Sequence, residues 1–107
     1  MQCSGAPTGV TRVDTVGAVG SEPSIVIGTD GLPIISYFDG TNSRPRVAKC
    51  ANASCSGNSI TQIDSDVSGQ YIAMAVGSDG LPVIAYWEQS LNDLKVFKCA
   101  NAVCRAP

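Results

Sequence analysis

Short apolar runs separated by glycine, aspartate, asparagine and serine make up most of the chain, and none has the period of an amphipathic helix. The two longest runs, Leu32–Phe38 and Leu81–Trp87, are apolar at nearly every position. Such a run, bounded by turn residues, is typical of a strand that is covered on both faces. A shorter run precedes each of them, at Ser24–Ile27 and Ala73–Val76, and the Asp-Gly pair in between indicates a tight hairpin turn.

This pattern occurs twice. Residues 24–55 align with residues 73–104 without a gap, and the segments Asp-Gly-Leu-Pro and Lys-Cys-Ala-Asn-Ala are identical in both copies. A partial third copy lies at the front of the chain, where Val10–Asp14 matches Ile60–Asp64. A repeat of this length predicts a row of similar structural units that stack on one another.

Each unit is expected to contain four short strands. Arg46–Cys50 and Lys95–Cys99 supply the third strand, and Ile60–Asp64 supplies the fourth, which Val10–Asp14 matches at the front. Four antiparallel strands that recur every 40–50 residues or so are typical of a β-propeller blade, in an all-β fold whose sheets pack face to face. The alternative is a small β-sandwich made by duplication, but sandwich strands alternate apolar and polar residues.

Residues 1–107 are expected to form a single two-blade unit. The order of its strands predicts that this unit assembles with copies of itself. If the strands of a blade are lettered A to D from the propeller axis outward, the chain runs D, A-B-C-D, A-B-C. Residues 15–64 give one blade, and residues 65–107 give a second that residues 10–14 of a neighbouring chain complete. Two blades cannot close a ring, so we expect a homo-oligomer, with a homotrimer favoured over a homotetramer. A longer parent protein with more repeats explains the same phase, and this alternative stays open.

The phrases DGLPIISYFD…RVAKCANASC and DGLPVIAYWE…LKVFKCANAVC resemble a known blade repeat. That repeat occurs in long tandem arrays in predicted proteins of bacterial and environmental genomes. The likeness runs from Cys3 to Cys104 and implies a propeller of exported or cell-surface origin. It brings no catalytic residues that can be transferred to this chain.

Four of the five cysteines lie in two copies of one motif, Cys50-ANAS-Cys55 and Cys99-ANAV-Cys104. Local disulfides within each motif are favoured over free thiols. A metal site is disfavoured because the chain has no histidine and the two pairs are expected on different blades. Cys3 is left over, as a free thiol or a remnant of duplication.

Charge and hydropathy exclude several classes of partner. The net charge is −2 and the seven basic residues are scattered, which gives no reason to expect nucleic acid as a partner. No apolar run approaches the roughly 18 residues of a membrane helix, so no membrane partner is expected, and no signal peptide is evident. Localisation is therefore left open, with a secreted or cell-surface origin favoured. Asp30 and Asp79 are single carboxylates in hairpin turns rather than a calcium loop, so no metal or other cofactor is expected.

Catalysis is not expected. Without histidine, neither a Ser/His nor a Cys/His mechanism is available, and the predicted axis-lining strands carry no acid or base. We therefore expect a non-catalytic assembly or interaction module that binds copies of itself.

Binding of glycans or of another protein is the alternative function. The D–A loops (residues 15–23 and 65–72) and the B–C loops (residues 39–45 and 88–94) are expected on one face, where acids and amides beside an aromatic ring suit sugar hydroxyls. The candidate ligand-binding residues are Glu22, Asp39, Asn42, Asp66, Tyr71, Glu88, Asn92 and Asp93.

Overall fold

The computed structural model describes residues 10–65, 68–101 and 104. These residues form seven β-strands and no helix, which confirms the all-β class predicted from the apolar runs. The strands are β1 (Val19–Ile27), β2 (Pro33–Asp39), β3 (Arg44–Cys50), β4 (Asn58–Gln62), β5 (Ser68–Val76), β6 (Pro82–Glu88) and β7 (Asp93–Lys98).

The strands form two antiparallel sheets in which consecutive strands are neighbours. Sheet 1 has the order β1-β2-β3-β4, and sheet 2 has the order β5-β6-β7. The register is the same in both: Ile34 pairs with Lys49 in sheet 1, and Val83 pairs with Lys98 at the equivalent position of sheet 2. The sequence repeat is therefore also a repeat of structure.

β1 and β5 begin about five residues earlier than the apolar runs predicted, so the segments interpreted as D–A loops lie largely within strands. Both strands contain register shifts against their neighbours, between residues 21 and 24 and between residues 70 and 73. Glu22 and Tyr71 occupy these bulges with positive φ angles of 54° and 55°. The pattern missed this part of the strands because a bulge breaks the alternation of side chains.

The strand predicted at Val10–Asp14 does not form within the single chain. The segment pairs with neither sheet, although Asp14 contacts sheet 1 through its side chain. An extended segment becomes a β-strand only by hydrogen bonding to the edge of another strand. Within the described residues, sheet 2 has three strands and β7 is its edge.

The two sheets pack against each other through a common hydrophobic core. β5 of sheet 2 lies against β1, β2 and β3 of sheet 1. Five of the seven residues of β2 are buried, whereas Pro33 and Ile35 are partly exposed. The buried cluster consists of Ile34, Phe38, Val47, Ile72, Ile84, Tyr86, Cys99 and Cys104.

Both predicted local disulfides are present. Cys50 is joined to Cys55 and Cys99 to Cys104, each across a sequence separation of 5. Such a short loop contributes about 2 kcal/mol by the chain-entropy estimate. Each disulfide therefore fixes the segment after a third strand rather than holding the two sheets together. Cys3 lies outside the described residues.

Candidate functional site

A polar cluster on sheet 1 joins two acids, a tyrosine and an arginine. Tyr37 Oη donates a hydrogen bond of 2.7 Å to Asp14 Oδ2, and Arg46 Nη1 lies 2.9 Å from the same oxygen. The second nitrogen of the guanidinium group, Nη2, lies 2.9 Å from Asp39 Oδ2. Both carboxylates are almost fully buried, and we name Asp14, Tyr37, Asp39 and Arg46 cluster 1.

Sheet 2 carries the same arrangement, which we name cluster 2. Tyr86 Oη donates a hydrogen bond of 2.7 Å to Asp64 Oδ2, and Lys95 Nζ lies 3.1 Å from that oxygen. Lys95 also forms an ion pair with Glu88. The two clusters differ only in the length of one acid and in the type of the base.

Cluster 2 ties the two sheets together. Asp64 comes two residues after β4, the last strand of sheet 1, whereas Tyr86 and Lys95 belong to sheet 2. Asp14 has the same contacts on sheet 1 that Asp64 has on sheet 2. The segment before Asp14 is therefore placed on sheet 1 as the end of a preceding unit would be.

The two acids of cluster 1 are fixed charges near neutral pH. Burial alone would raise the pKa of Asp14, but hydrogen bonds from Tyr37, the Val16 N–H and Arg46 outweigh it and keep the pKa below its ordinary value. The pKa of Asp39 is lowered by the same balance, through Asn42 and Arg46. Burial, together with the neighbouring aspartate, raises the pKa of Tyr37, as it does for the equivalent Tyr86. Asp14 and Asp39 therefore stay ionised, and the two tyrosines stay protonated, through the neutral range.

Two of the candidate ligand-binding residues point into the protein. The Asp39 side chain is fully buried and accepts hydrogen bonds from the backbone N–H groups of Thr41 and Asn42. Glu88 is 2% exposed and accepts a hydrogen bond from Ser90 Oγ. These carboxylates shape the hairpin turns after β2 and β6 and neutralise the cluster bases.

The remaining described candidates lie closer to solvent. Tyr71 is 72% exposed, its backbone N–H donates a 2.7 Å hydrogen bond to Glu22 Oε1, and its ring centroid lies 5.9 Å from that of Trp87. Asn42, Asn92 and Asp93 are exposed at the turns that follow β2 and β6. Asp66 lies outside the described residues.

A cleft of about 240 Å³ lies on the outer face of sheet 1, between the segment before β1 and the first two strands. It is lined by Thr11, Val13, Asp14, Gly20, Pro23, Ile35 and Tyr37. Two of its three polar side chains, Asp14 and Tyr37, are hydrogen-bonded to each other. The rest of the lining is largely apolar.

Neither a metal centre nor a membrane helix is found in the described ranges. Within residues 10–65, 68–101 and 104, no three His, Cys, Asp or Glu side chains converge as metal ligands. The same residues contain no helix of the length and apolarity needed to cross a membrane. Comparisons with protein-family models, with curated proteins and with solved structures find no match.

Residue identity alone does not reveal the clusters, because their basic residue differs between the two copies of the repeat. Arg46 aligns with Lys95, so a base recurs at this position although arginine does not. An acid likewise recurs at the positions of Asp14 and Asp64, beside a recurring tyrosine. The signal that could have revealed the clusters is a charge that has the same sign in both copies of the repeat, even where the residue type differs.

We expect the tyrosine hydroxyls to stabilise the fold. Tyr37→Phe and Tyr86→Phe should each lower the free energy of unfolding by about 1.5–3 kcal/mol, since each removes a hydrogen bond to a charged group. The exposed Tyr71 supplies a control, because Tyr71→Phe should change stability by less than about 0.5 kcal/mol. Urea denaturation measures all three, and equal effects of Tyr86→Phe and Tyr71→Phe would contradict the structural role of cluster 2.

We also expect stability to fall in acid. A carboxyl group with a depressed pKa binds fewer protons in the folded chain, so its contribution is present above the ordinary value of 3.8 and is lost as the pH falls below it. Urea denaturation should give a nearly constant stability down to about pH 5 and a decline below about pH 4. The decline should be shallower in Asp14→Asn, and an unchanged acid slope in that variant would refute the contribution of Asp14.

Proposed function

We propose that this chain is a non-catalytic assembly module that forms a β-propeller from copies of itself, with each sheet acting as one blade. Three copies would supply six blades and four copies would supply eight, and the trimer is the favoured ring. In such a ring, residues 10–14 of one copy complete sheet 2 of the next. The contact is head-to-tail, and it closes when the rotation between copies divides the circle.

The contacts of Asp14 carry this proposal. Within one chain, the aspartate that follows the last strand of sheet 1 binds the tyrosine of sheet 2. Asp14 binds the equivalent tyrosine of sheet 1, so sheet 1 receives the contact that the end of a preceding blade would make. Sheet 2 of a second copy is the proposed source of that blade.

The register of sheet 1 is the template for the proposed completion of sheet 2. β3 pairs with β4 so that Ala48 lies opposite Ile60. The equivalent residues are Phe97 on β7 and Val10 at the front of the chain. Val10 is 89% exposed in the single chain, which leaves it available to pair.

The outer faces of the two sheets support the same assembly. Ile25 and Ile27 are 61% and 58% exposed on sheet 1, and Leu94 and Val96 are 77% and 63% exposed on sheet 2. Exposed apolar patches on a small protein mark surfaces that bind a partner. The two disulfides are compatible with an oxidising compartment, so we propose a secreted or cell-surface setting for the module.

Light scattering coupled to size-exclusion chromatography tests the proposal on the 107-residue chain. We expect a single species at three or four times 11.0 kDa. The double variant Thr11→Pro/Arg12→Pro should be a monomer, because proline removes the N–H groups that a paired strand needs. Its fold should be retained, since residues 10–14 pair with neither sheet in the single chain. A folded wild-type monomer, or a proline variant that assembles equally well, would overturn the proposal.

Exposure of Tyr71 favours a second candidate function, a lectin-like site. Its ring is 72% exposed and lies near Trp87, with Glu22 beside it. An exposed aromatic face next to a carboxylate suits a sugar ring and its hydroxyls. A glycan array should then show selective binding that Tyr71→Ala abolishes, whereas an array without selective signals would exclude this function.

A further inference from the structure

We infer that Trp87 and Leu94 of one copy occupy the cleft beside Gly20 of the next copy, so that the contact between chains reproduces the contact between sheets 1 and 2 within a chain. This inference rests on the proposed assembly and identifies the surfaces that make it. It assigns the occupant of the cleft as a second copy of this chain.

The contact within the chain provides the template. Gly69 on β5 is buried against sheet 1, and a Cβ atom at this position would lie 2.7–2.9 Å from the N, Cβ and Cα atoms of Pro45. Such distances are shorter than van der Waals contact, so only glycine fits here. Phe38, which pairs with Pro45 across β2 and β3, is 8% exposed in the same contact.

The equivalent glycine on the outer face of sheet 1, Gly20, has no close neighbour in the single chain. Gly20 has the same φ angle as Gly69, 99°, but a Cβ atom there would have no neighbour within 4 Å. The cleft opens at this residue. The residues that would fill it by the repeat are the equivalents of Phe38 and Pro45, which are Trp87 and Leu94.

Both of these residues are available on sheet 2. Trp87 and Leu94 face each other across β6 and β7, as their equivalents do in sheet 1. Leu94 is 77% exposed and Trp87 is only partly buried. A large aromatic and a large aliphatic side chain at one edge of a sheet form the kind of anchor that dominates protein interfaces.

A second pair of equivalent glycines, Gly31 and Gly80, indicates the same docking arrangement at the opposite end of the sheets. A Cβ atom at Gly80, in the turn before β6, would collide with Thr29 Cγ2 of sheet 1. Gly31, its equivalent in the turn before β2, has open space at this position. The equivalent of Thr29 is Ser78, so Ser78 of a neighbouring copy would lie against Gly31. Contacts at both ends of the sheet fix the orientation of the docked copy.

The sizes of the side chains fit the docking of Trp87 and Leu94 in the cleft. Within the chain, Pro45 lies against Gly69 of sheet 2, and Phe38 belongs to the same buried cluster as Ile72. The equivalents of the cleft residues Val13 and Pro23 are the larger Ile63, which follows β4, and Ile72 of β5. The cleft thus has smaller walls at the two positions where the incoming side chains, Trp87 and Leu94, are larger than those of the template.

Such compensation keeps the total volume near that of the contact within the chain, and interfaces with well-packed centres require this. The smaller cleft residues opposite larger incoming side chains therefore favour head-to-tail pairing of two copies.

Two leucines of similar exposure provide a matched test. Leu94 lies in the proposed contact, whereas Leu91, 69% exposed, lies in the turn before β7 and outside it. In light scattering over a range of protein concentrations, Leu94→Asp should weaken assembly at least tenfold, because a buried charge replaces an apolar anchor. Leu91→Asp should assemble like the wild type. In the monomeric Thr11→Pro/Arg12→Pro background, both substitutions should change the free energy of unfolding by less than about 0.5 kcal/mol.

The two glycines give an independent measurement. Gly20→Ala and Gly69→Ala carry the same strain from a positive φ angle, so their difference reports only the contact. In the Thr11→Pro/Arg12→Pro background, Gly69→Ala should destabilise the fold by more than Gly20→Ala. In the otherwise wild-type chain, Gly20→Ala should weaken assembly.

The outcomes separate this inference from the proposed function. If the wild type assembles and the Thr11→Pro/Arg12→Pro variant does not, strand exchange holds. If Leu94→Asp then assembles like Leu91→Asp, the docking of Trp87 and Leu94 in the cleft is refuted while the proposed function stands. If the wild type is a monomer at all concentrations, both are overturned.

Discussion

The hydrogen bond between an aspartate at the end of one unit and the tyrosine of the next sheet is the constraint on which the structure depends. Asp64 follows the last strand of sheet 1, and its side chain contacts Tyr86 and Lys95 of sheet 2. Because Asp64 Oδ2 contacts both Tyr86 Oη and Lys95 Nζ, removing either partner leaves a largely buried carboxyl group with one contact fewer. The tyrosine of sheet 2 therefore takes its hydrogen-bond acceptor from the end of sheet 1, whereas Lys95 also pairs with Glu88 of its own sheet. Asp14 is the corresponding acceptor for Tyr37 on sheet 1.

The packing of the sheets, like the hydrogen bond of Asp64, pairs one sheet with the next. Each sheet has two apolar faces, and one face of each is covered by the other sheet in the same chain. The faces left over are unlike: sheet 1 presents a cleft and sheet 2 presents protruding side chains. In the proposed assembly, these unlike faces would pair head to tail, which is the geometry of a ring or a filament rather than of a two-fold dimer.

Several parts of the fold could be predicted from the sequence because they depend on local pattern. The apolar runs placed β2 and β6, and the repeated cysteine spacing predicted both disulfides. The early part of β1 was missed because Glu22 and its neighbours form a bulge, which has no period. The roles of Asp39 and Glu88 were also hidden, since a sequence does not show whether a loop carboxylate points to solvent or back to a base several residues away. Their burial is decided by contacts between strands.

The most direct test of the account is an isotope-filtered NMR experiment on a mixture of labelled and unlabelled chains. The register of sheet 1 places the Val10 side chain of one copy opposite Phe97 of another. Nuclear Overhauser effects between the Val10 methyl groups of labelled chains and the Phe97 ring of unlabelled chains are the predicted result. If no intermolecular effect is seen, or if Val10 contacts only its own chain, residues 10–14 do not complete a neighbouring sheet and the account is wrong.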